Sequence, residues 1–574
     1  MTNVKKTFYI DKKIFFNLAF FLILSNLFAC WYVRQEHFIY YMDQVNYWQK
    51  LDNISNNFLK NPFDAFRHLV YSIREDDYND LPAFLLMPFK FLFGISRLSF
   101  ILAIINVFAL PVIITFIFLH KKLNSLEGLD IKNVSLVPIA VVLLFPNFWQ
   151  PILAGYLDVG GVILINLVLL MYLDRPYLEQ KSSKLFLMAG GITGLILFRR
   201  WYAYWGVAFY AALFLKECLS LFLNNSFNVK DLGRIIVRLL AQVSISGLLL
   251  FTIAPTFAHR ILITDYSDIY SAFRSDRTML QAFIELIFRF GLLYFSLFIL
   301  GVFNGFKNRT TREFSFLLLA QWLIIFILFA RTQDFGRHQL YLLMPTMLIF
   351  TFLFLTRLFA QFARTRIFLI CGLLLLSILN FMTGFTDKEF WLTKTFPCVF
   401  TDFHQAPCVR NDINVIDRIL RTIEKLAVKK DDRVYVLAAS DALNCQTLNR
   451  AYLSLGRHKN IAGKIAWTND IDKRDGFPEE LLNATYVIVA NPIQYGADPQ
   501  YERILGVPAG LFLKQTGIAA SFIKLPYEFV LQDNVKVYIY QKIKPLDEQD
   551  ILALSEMLKS YYPDRKDIYE IKRR

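Results

Sequence analysis

Residues 12–48 read KKIFFNLAFFLILSNLFACWYVRQEHFIYYMDQVNYW. The apolar run within them, residues 14–33, is long enough to cross a bilayer as a helix. It carries no small-residue cleavage site, so we interpret it as a retained membrane helix and not as a removed signal peptide. A polar, aromatic-rich segment follows and carries Asp43 near its start. A large segment of this kind directly after the first helix suggests an active site at the membrane surface and not a pore.

Four lysines precede the first apolar run: Lys5, Lys6, Lys12 and Lys13. The positive-inside rule therefore predicts a cytoplasmic N-terminus and an outer location for the segment that carries Asp43. The net charge of +15 lies mostly in short loops between apolar runs, where the same rule places it. We therefore exclude nucleic acid as a partner and expect the basic residues to face lipid phosphates.

The whole chain has the composition of a multi-pass membrane protein. Of its 574 residues, 55% are hydrophobic and 57 are phenylalanine, which is too apolar for an ordinary soluble enzyme. The apolar runs predict about eleven spans, at residues 14–33, 98–119, 134–149, 157–173, 185–199, 203–223, 235–257, 281–303, 314–330, 339–356 and 367–385. An odd number of spans places the chain after Phe385 on the outer side.

The fold class predicted is a polytopic α-helical membrane protein with a C-terminal extracytoplasmic α/β domain. The membrane domain is residues 1–385, with a large first outer loop at 34–97, and the outer domain is residues 386–574. Buried strands, a preceding helix and a hairpin alternate in the outer domain, as in small α/β domains. They are predicted at 433–439 and 484–490 for the strands, 411–428 for the helix, and 529–531 with 536–541 for the hairpin.

Two further features of the outer segments affect the architecture. Residues 81–94, LPAFLLMPFKFLFG, are apolar but short and contain two prolines, so we expect an interfacial or re-entrant segment there. Cys398 and Cys408 lie beyond the last span. They form a disulfide if that side is oxidising, and a pair of reduced cysteines is the equal alternative.

Asp43 is the first candidate for chemistry. Tyr40, Tyr41, Tyr47 and Trp48 surround it, and such side chains suit a membrane interface or stacking against a sugar. A carboxylate in this setting can accept the proton of an acceptor hydroxyl as a general base. The alternative is an ordinary solvated loop aspartate.

An acidic run, REDDYNDLP, occupies residues 74–82 and includes Asp77 and Asp80. Its oxygens can line an acceptor site or bind a hard divalent cation such as Mg²⁺ or Mn²⁺. The alternative, which the sequence favours slightly, is a solvated turn. We therefore treat a divalent cation as an optional cofactor and require none.

Asp158 begins an apolar helix at or just above membrane depth. An acid is costly there and is more often functional than structural. The alternative is a helix N-cap, because aspartate is favoured at the first position of a helix.

Arginines recur on the predicted outer side, where the positive-inside rule disfavours them. Arg199 and Arg200 lie between two spans, and Arg331, Arg337 and His338 lie in and beside the loop at 331–338. An anion such as a lipid phosphate explains such placement, since guanidinium groups bind phosphate through forked hydrogen bonds. An error in the predicted topology at 199–202 is the alternative. The outer loop at 258–280 adds further mixed charges.

The sequence lacks HExxH, a Walker A loop, a GxSxG elbow and paired CxxC motifs. The zinc-peptidase, ATPase and hydrolase classes are therefore disfavoured.

This layout resembles the GT-C superfamily of membrane glycosyltransferases, in its protein-mannosyltransferase-like and aminoarabinose-transferase-like branch. The resemblance covers residues 14–385 by layout, and by motif it depends on Asp43, the acidic run, Asp158 and the outer arginines. The sequence departs from many relatives in two places. It has Asp43-Gln44 where they carry Asp-Glu, and it lacks the histidine-rich motif that some place near 81–94.

The resemblance implies a sugar donor linked to a polyprenyl phosphate and an acceptor that is a glycan, a lipid or a protein. Asp43 then matches the acidic residue of the first outer loop, and Asp158 matches an acid of the second. Arg199, Arg200, Arg331 and Arg337 are candidates for the lipid-phosphate site. The mechanism implied is inversion at the anomeric carbon, with Asp43 as base and the arginines stabilising the leaving phosphate.

Three other functions are compatible with the sequence. A transporter or flippase for a lipid-linked sugar predicts charged residues inside spans and inverted repeats. A polymerase or ligase of surface polysaccharide uses a lipid diphosphate donor. A non-enzymatic interaction protein would use the outer domain as its working part. Each implies a multi-pass protein of the cell membrane.

Overall fold

The computed structural model describes residues 12–129, 135–223, 228–362 and 366–571. These residues group into two compact units. The first, here the membrane unit, holds the described residues of Met1–Gln35, Lys50–Thr264 and Asp276–Pro407. The second, here the sheet unit, holds those of Glu36–Gln49, Asp265–Ser275 and Cys408–Arg574. Two of the four lysines from which a cytoplasmic N-terminus is predicted, Lys5 and Lys6, lie outside the described residues.

The membrane unit is helical throughout. Its apolar helices overlap the segments predicted from the sequence, which are rich in phenylalanine and leucine and have few helix breakers. They are Lys12–Gln35, Arg97–Ile104 continued by a π-helical turn at Ile105–Ala109 and by Leu110–Leu126, Leu136–Leu143, Pro146–Ala154, Val159–Tyr172, Ser182–Phe198, Tyr202–Leu223, Val229–Ile253, Met279–Lys307, Arg309–Ala330, Met344–Gln361 and Arg366–Gly384. The predicted span 134–149 differs, because it is divided between two helices and the second continues to Ala154.

Eight of these helices, among the described residues, are long and apolar enough to cross a bilayer. Leu136–Leu143 and Pro146–Ala154 are bent by 59° and count as a ninth span if they form one broken span. Val159–Tyr172 and Ser182–Phe198 are apolar but shorter. The protein is therefore a multi-pass membrane protein, and the number of eleven crossings stays a prediction.

The outer faces of these helices carry exposed apolar side chains. On the first helix, Phe15, Phe16 and Leu27 are each more than half exposed, whereas Phe21 and Tyr32 are fully buried. A soluble protein does not tolerate so much exposed apolar surface, but lipid does. The many phenylalanine residues of the chain contribute to this exposed apolar surface.

The segment predicted as a first outer loop, 34–97, is largely helical. Its helices are Asp43–Lys60, Pro62–Glu75, Leu81–Phe84 and Met87–Phe93. The helix Pro62–Glu75 exposes Phe63, Phe66 and Tyr71 along one face, which is typical of a helix lying in a membrane interface. The two short helices within 81–94 are far below the length of a span, as the prediction of a non-spanning segment requires.

The remaining elements of the membrane unit are short. They are Tyr177–Glu179, Pro255–Ile263, His338–Leu342 and Trp391–Thr395.

The sheet unit contains a four-stranded mixed sheet. Its strands are β1 (Val434–Leu437), β2 (Tyr486–Asn491), β3 (Phe522–Val530) and β4 (Lys536–Lys542), in the order β1-β2-β4-β3. The β1–β2 pair is parallel, and β4 pairs antiparallel with both β2 and β3. The predicted hairpin is therefore confirmed as β3–β4, with Val530 opposite Lys536.

Helices cover both faces of this sheet. Alternate residues of each strand point to opposite faces, so Val434 and Val436 enter one core while Tyr435 and Leu437 enter the other. The helix Ile413–Leu426 packs in the first core, and Arg503–Lys514 and Glu548–Lys559 contribute to the second. The other elements are Tyr266–Ile269, Ser271–Phe273, Cys445–Asn449, Ala451–Leu455, Lys459–Ala462, Asp472–Asp475, Glu479–Leu482, Pro499–Tyr501, Gly517–Ser521, Gln532–Asn534 and Pro563–Tyr569.

The predicted fold class, helical spans with a small C-terminal α/β domain, is confirmed. The functional division into residues 1–385 and 386–574 stays a prediction. The six cysteines all lie in the described residues, and Cys398 and Cys408 form no disulfide there.

Candidate functional site

A break in the helix Met279–Lys307 organises one polar cluster of the membrane unit. Gly291 has φ +78 within this helix, a conformation that glycine adopts without a steric penalty. The break frees backbone groups, and the neighbouring segment satisfies them: the amide of Leu292 donates to the carbonyl of Cys398 at 2.9 Å, and that of Leu293 to Val399 at 3.1 Å. Irregular backbone at membrane depth needs such partners.

Arg289 lies two residues before this break. Its guanidinium carbon lies 5.3 Å from the ring centroid of Phe403. Its Nη2 contacts a carboxylate oxygen of Glu285 at 3.0 Å. Its Nη1 is buried and has no hydrogen-bond partner among the described residues. A buried guanidinium donor without a partner is costly unless a ligand satisfies it.

Arg337 lies against the same ring. Its guanidinium carbon is 5.2 Å from the Phe403 centroid, and its Nη2 donates to the carbonyl of His404 at 3.4 Å. Burial raises the pKa of nearby Asp402, although Arg289 and His404 oppose this effect. The cluster of Arg289, Arg337 and Phe403 is here called the arginine pair.

The acidic run at 74–82 contacts the predicted arginines. Asp77 accepts hydrogen bonds from Arg200 at 2.6 Å and from Arg260 at 2.8 Å. The guanidinium of Arg200 also lies 4.9 Å from the ring centroid of Tyr78 and 4.7 Å from that of Trp201. Charge pairing and cation–π contacts therefore fix Arg200 in one place.

Three further polar residues of the run also have partners. Asp80 forms an ion pair with Lys50 at 2.6 Å, and Asn79 donates to the carbonyl of Leu197 at 2.7 Å. Asp76 accepts from Ser72 at 2.6 Å. The run is therefore a structured connection and not a solvated turn.

The described parts of the chain contain no group of three or more His, Cys, Asp or Glu side chains that could hold a metal ion. Asp77 and Asp80 direct their oxygens at basic side chains, so these residues do not fit a divalent-cation site.

Asp158 and Arg199 form a buried ion pair. The Oδ1 of Asp158 accepts from Nε of Arg199 at 3.0 Å, and both side chains are 2% exposed. Asp158 occupies the N-cap position of the helix Val159–Tyr172, but its side chain makes no capping hydrogen bond. Its Oδ2 is buried and accepts no hydrogen bond within the described residues. The Asp158 carboxylate therefore forms the ion pair with Arg199 and does not cap the helix.

His338 and Arg331 differ in their surroundings. His338 is buried and stacks on Tyr156, with ring centroids 4.4 Å apart and an interplanar angle of 17°. Arg331 is exposed. His338 is therefore held by the residues that lead into the Asp158 helix, whereas Arg331 lies at the surface.

Asp43 belongs to the sheet unit. It is half-buried at the first position of the helix Asp43–Lys60, and its Oδ1 accepts from Nδ2 of Asn46 at 3.3 Å. Arg450 lies within electrostatic range. Burial lowers the pKa of Arg450 to about 10, and Cys445 and Asp43 oppose this shift.

Sequence reasoning missed Arg289, because it lies inside the predicted span 281–303. The signal was present, since an arginine within an apolar run is itself an indication of function. Phe403 and Arg450 gave no comparable signal, because nothing local distinguishes them.

No protein-family model and no curated protein matches the sequence. The solved structures that match most of the chain include two crystal structures of ArnT from Cupriavidus metallidurans. One is bound to undecaprenyl phosphate, with TM-score 0.50 and 12% identity, covering 91% of this chain and 97% of that chain. The other is in the apo state, with TM-score 0.50, 11% identity and the same coverage. ArnT is a GT-C glycosyltransferase, so the predicted GT-C-like fold is confirmed.

Proposed function

We propose that the protein is a membrane glycosyltransferase of the GT-C type. It transfers a sugar from a polyprenyl-phosphate donor to an extracytoplasmic acceptor, with inversion at the anomeric carbon. The observation that carries the proposal is the arginine pair, placed beside a broken membrane helix in a chain with the fold of ArnT. The undecaprenyl phosphate bound in one ArnT structure supports a lipid-phosphate donor for this chain.

The arginine pair suits the phosphate of such a donor. Two cations against one aromatic ring repel each other, and a phosphate between them converts that repulsion into attraction. The buried Nη1 of Arg289 has no hydrogen-bond partner in the described chain and would gain one. Planar guanidinium groups also match the geometry of phosphate oxygens.

The reaction proposed is a single displacement. An acceptor hydroxyl attacks the anomeric carbon, and the bond from that carbon to the phosphate oxygen breaks. The bonding electrons leave with the polyprenyl phosphate, and the acceptor proton passes to the carboxylate of Asp43. Arg289 and Arg337 stabilise the charge that grows on the leaving phosphate.

The other predicted residues receive secondary roles in this proposal. Arg199 and Arg200 are paired with Asp158 and Asp77, so they shape the site and contribute to its field without acting as the main phosphate ligands. Asp158, through its Oδ2, is a candidate to accept a hydrogen bond from the acceptor. Arg331 and His338 remain candidates for the lipid headgroup.

The proposed orientation follows the positive-inside rule, with a cytoplasmic N-terminus and an extracytoplasmic sheet unit. The donor then enters from the bilayer and the acceptor from the outer aqueous side.

The test uses purified full-length protein in liposomes with a panel of undecaprenyl-phosphate hexoses and pentoses. Mass spectrometry follows loss of the donor in the wild type and in Asp43→Asn, with Asp431→Asn as a control because Asp431 is an exposed aspartate of the sheet unit. We expect one donor to be consumed by the wild type and the control, and not by Asp43→Asn.

Two results would contradict the proposal. Full activity of Asp43→Asn removes Asp43 from the mechanism. Movement of labelled lipid across the bilayer without donor consumption identifies a transporter instead.

A further inference from the structure

The segment that carries Asp43 belongs to the sheet unit, together with the C-terminal α/β domain. The amide of His37 donates to the carbonyl of Cys408 at 2.9 Å, and the amide of Arg410 donates back to the carbonyl of His37 at 2.8 Å. His37 and Val409 thus form a parallel bridge. Residues distant in sequence are joined here by backbone hydrogen bonds, as in a short added strand.

Side chains anchor the same segment. Ile39 is fully buried and belongs to the hydrophobic core that includes Ile416 and Leu443. Tyr41 is also buried and hydrogen-bonds Asp441. Successive residues before Asp43 are therefore held by the sheet unit.

Arg450 holds the next residue. It follows the helix Cys445–Asn449, and its side chain is largely buried. Its Nη1 donates to the carbonyl of Met42 at 3.3 Å and to Oε1 of Gln446 at 2.9 Å. Cys445, Asp43 and Tyr452 are the titratable groups that interact with its charge. Its guanidinium thus contacts the backbone directly before Asp43 and attracts the Asp43 carboxylate.

We propose that Arg450 is a positioning residue that fixes the Asp43 segment, so that the C-terminal α/β domain takes part in catalysis by orienting the base. The inference rests on the proposed role of Asp43. A general base must lie within hydrogen-bond reach of the proton that it accepts, and a displacement of about 1 Å can cost roughly 100-fold in rate. A buried arginine bonded to the preceding carbonyl restricts such displacement.

The first measurement is hydrogen exchange of the full-length protein, read on the peptide that covers residues 36–49. We expect Arg450→Met, which keeps the stem of the side chain, to raise exchange in this peptide by about 10-fold or more while β1 stays protected. Arg450→Lys should give a smaller increase because the lysine ammonium keeps the positive charge and can still donate a hydrogen bond. Unchanged exchange in Arg450→Met would overturn the proposal.

The second measurement is donor turnover in liposomes with the undecaprenyl-phosphate sugar panel. We expect Arg450→Met to lower kcat by about 10- to 100-fold with little change in the KM for donor, and Arg450→Lys to restore part of it. The matched control is Arg457→Gln, since Arg457 belongs to the same unit, pairs with Asp417 and is half exposed. A fall in the active fraction alone, with kcat per folded molecule unchanged, would show a purely structural role.

A further variant keeps the test decisive if Arg450→Met fails to fold. Tyr41→Phe removes the hydrogen bond to Asp441 from the same segment and should change exchange and kcat in the same direction. If the wild type consumes no donor, the proposed function fails, whereas the exchange measurement still decides whether Arg450 holds the segment.

Discussion

The carboxylate of Asp158 and the guanidinium of Arg199 form an ion pair at 3.0 Å in which both side chains are 2% exposed. Two charges buried to this degree lose most of their hydration, and their mutual attraction and hydrogen bonding offset part of that loss. The two residues therefore act as a unit, and removal of either takes the buried ion-pair partner from the other.

Asp158→Asn should lower the stability of the membrane unit by about 3–5 kcal/mol, because Arg199 keeps its buried charge and loses its ion pair with Asp158. Thermal unfolding of the detergent-solubilised protein measures the loss. The double variant Asp158→Leu with Arg199→Met removes both charges and should recover most of it. If the double variant recovers stability but has no transferase activity, the Asp158–Arg199 pair has a role in the active site. If it recovers activity as well, the role of the pair is structural.

Arg289→Gln and Arg337→Gln should each weaken binding of undecaprenyl phosphate by about 10-fold or more, because each removes a charged donor from the phosphate. Native mass spectrometry or ligand-induced thermal stabilisation measures the affinity. Arg234→Gln is the matched control, since its side chain is 73% exposed. Wild-type affinity in both arginine variants would rule out the arginine pair as the phosphate site.

Gly291→Ala should destabilise the membrane unit by about 1–3 kcal/mol. Its φ of +78 disfavours any side chain, and an added Cβ would lie 2.7 Å from the carbonyl carbon of Phe400. Gly247→Ala, where an added Cβ meets nothing within 4 Å, is the control and should be neutral or stabilising. Equal unfolding temperatures for the two variants would contradict the importance of the break.

Glu502 should make the stability of the sheet unit depend on pH. Burial raises the pKa of this carboxyl from 4.5 to about 7, although the backbone amides of Gly496 and Ala497 oppose the shift. The folded state thus holds the proton more tightly than the unfolded state. The stabilisation is complete below the unfolded pKa of about 4.5 and is lost as the pH rises through about 7.

Glu502→Gln should flatten this dependence, with a difference of up to about 3 kcal/mol across the window. Hydrogen exchange of β2 in the full-length protein at a series of pH values measures it. Glu556→Gln, at a side chain that is 70% exposed, serves as the control. The same slope in Glu502→Gln and wild type would show that Glu502 does not carry the effect.

The sequence predicted the helical spans and the C-terminal sheet because both depend on local patterns. Long apolar runs specify membrane helices, and the buried strand at 484–490 and the hairpin 529–541 show their type within a few residues. The sequence also identified candidate charged residues, such as Asp77 and Arg200, in segments predicted to lie on the outer side. It did not show that these two residues contact each other.

Only the tertiary structure decided which charged side chains pair with each other and which remain available to a ligand. Arg289, Arg337 and Phe403 come from three separate segments, so no sequence spacing reveals that they share one location. The sequence by itself determined a multi-pass membrane protein with a small α/β domain, because hydrophobic length and periodicity are local properties. The tertiary structure decided the pairing of Asp158 with Arg199 and the union of the Asp43 segment with the α/β domain, because hydrogen bonds and ion pairs depend on distances that the chain sets only when it folds.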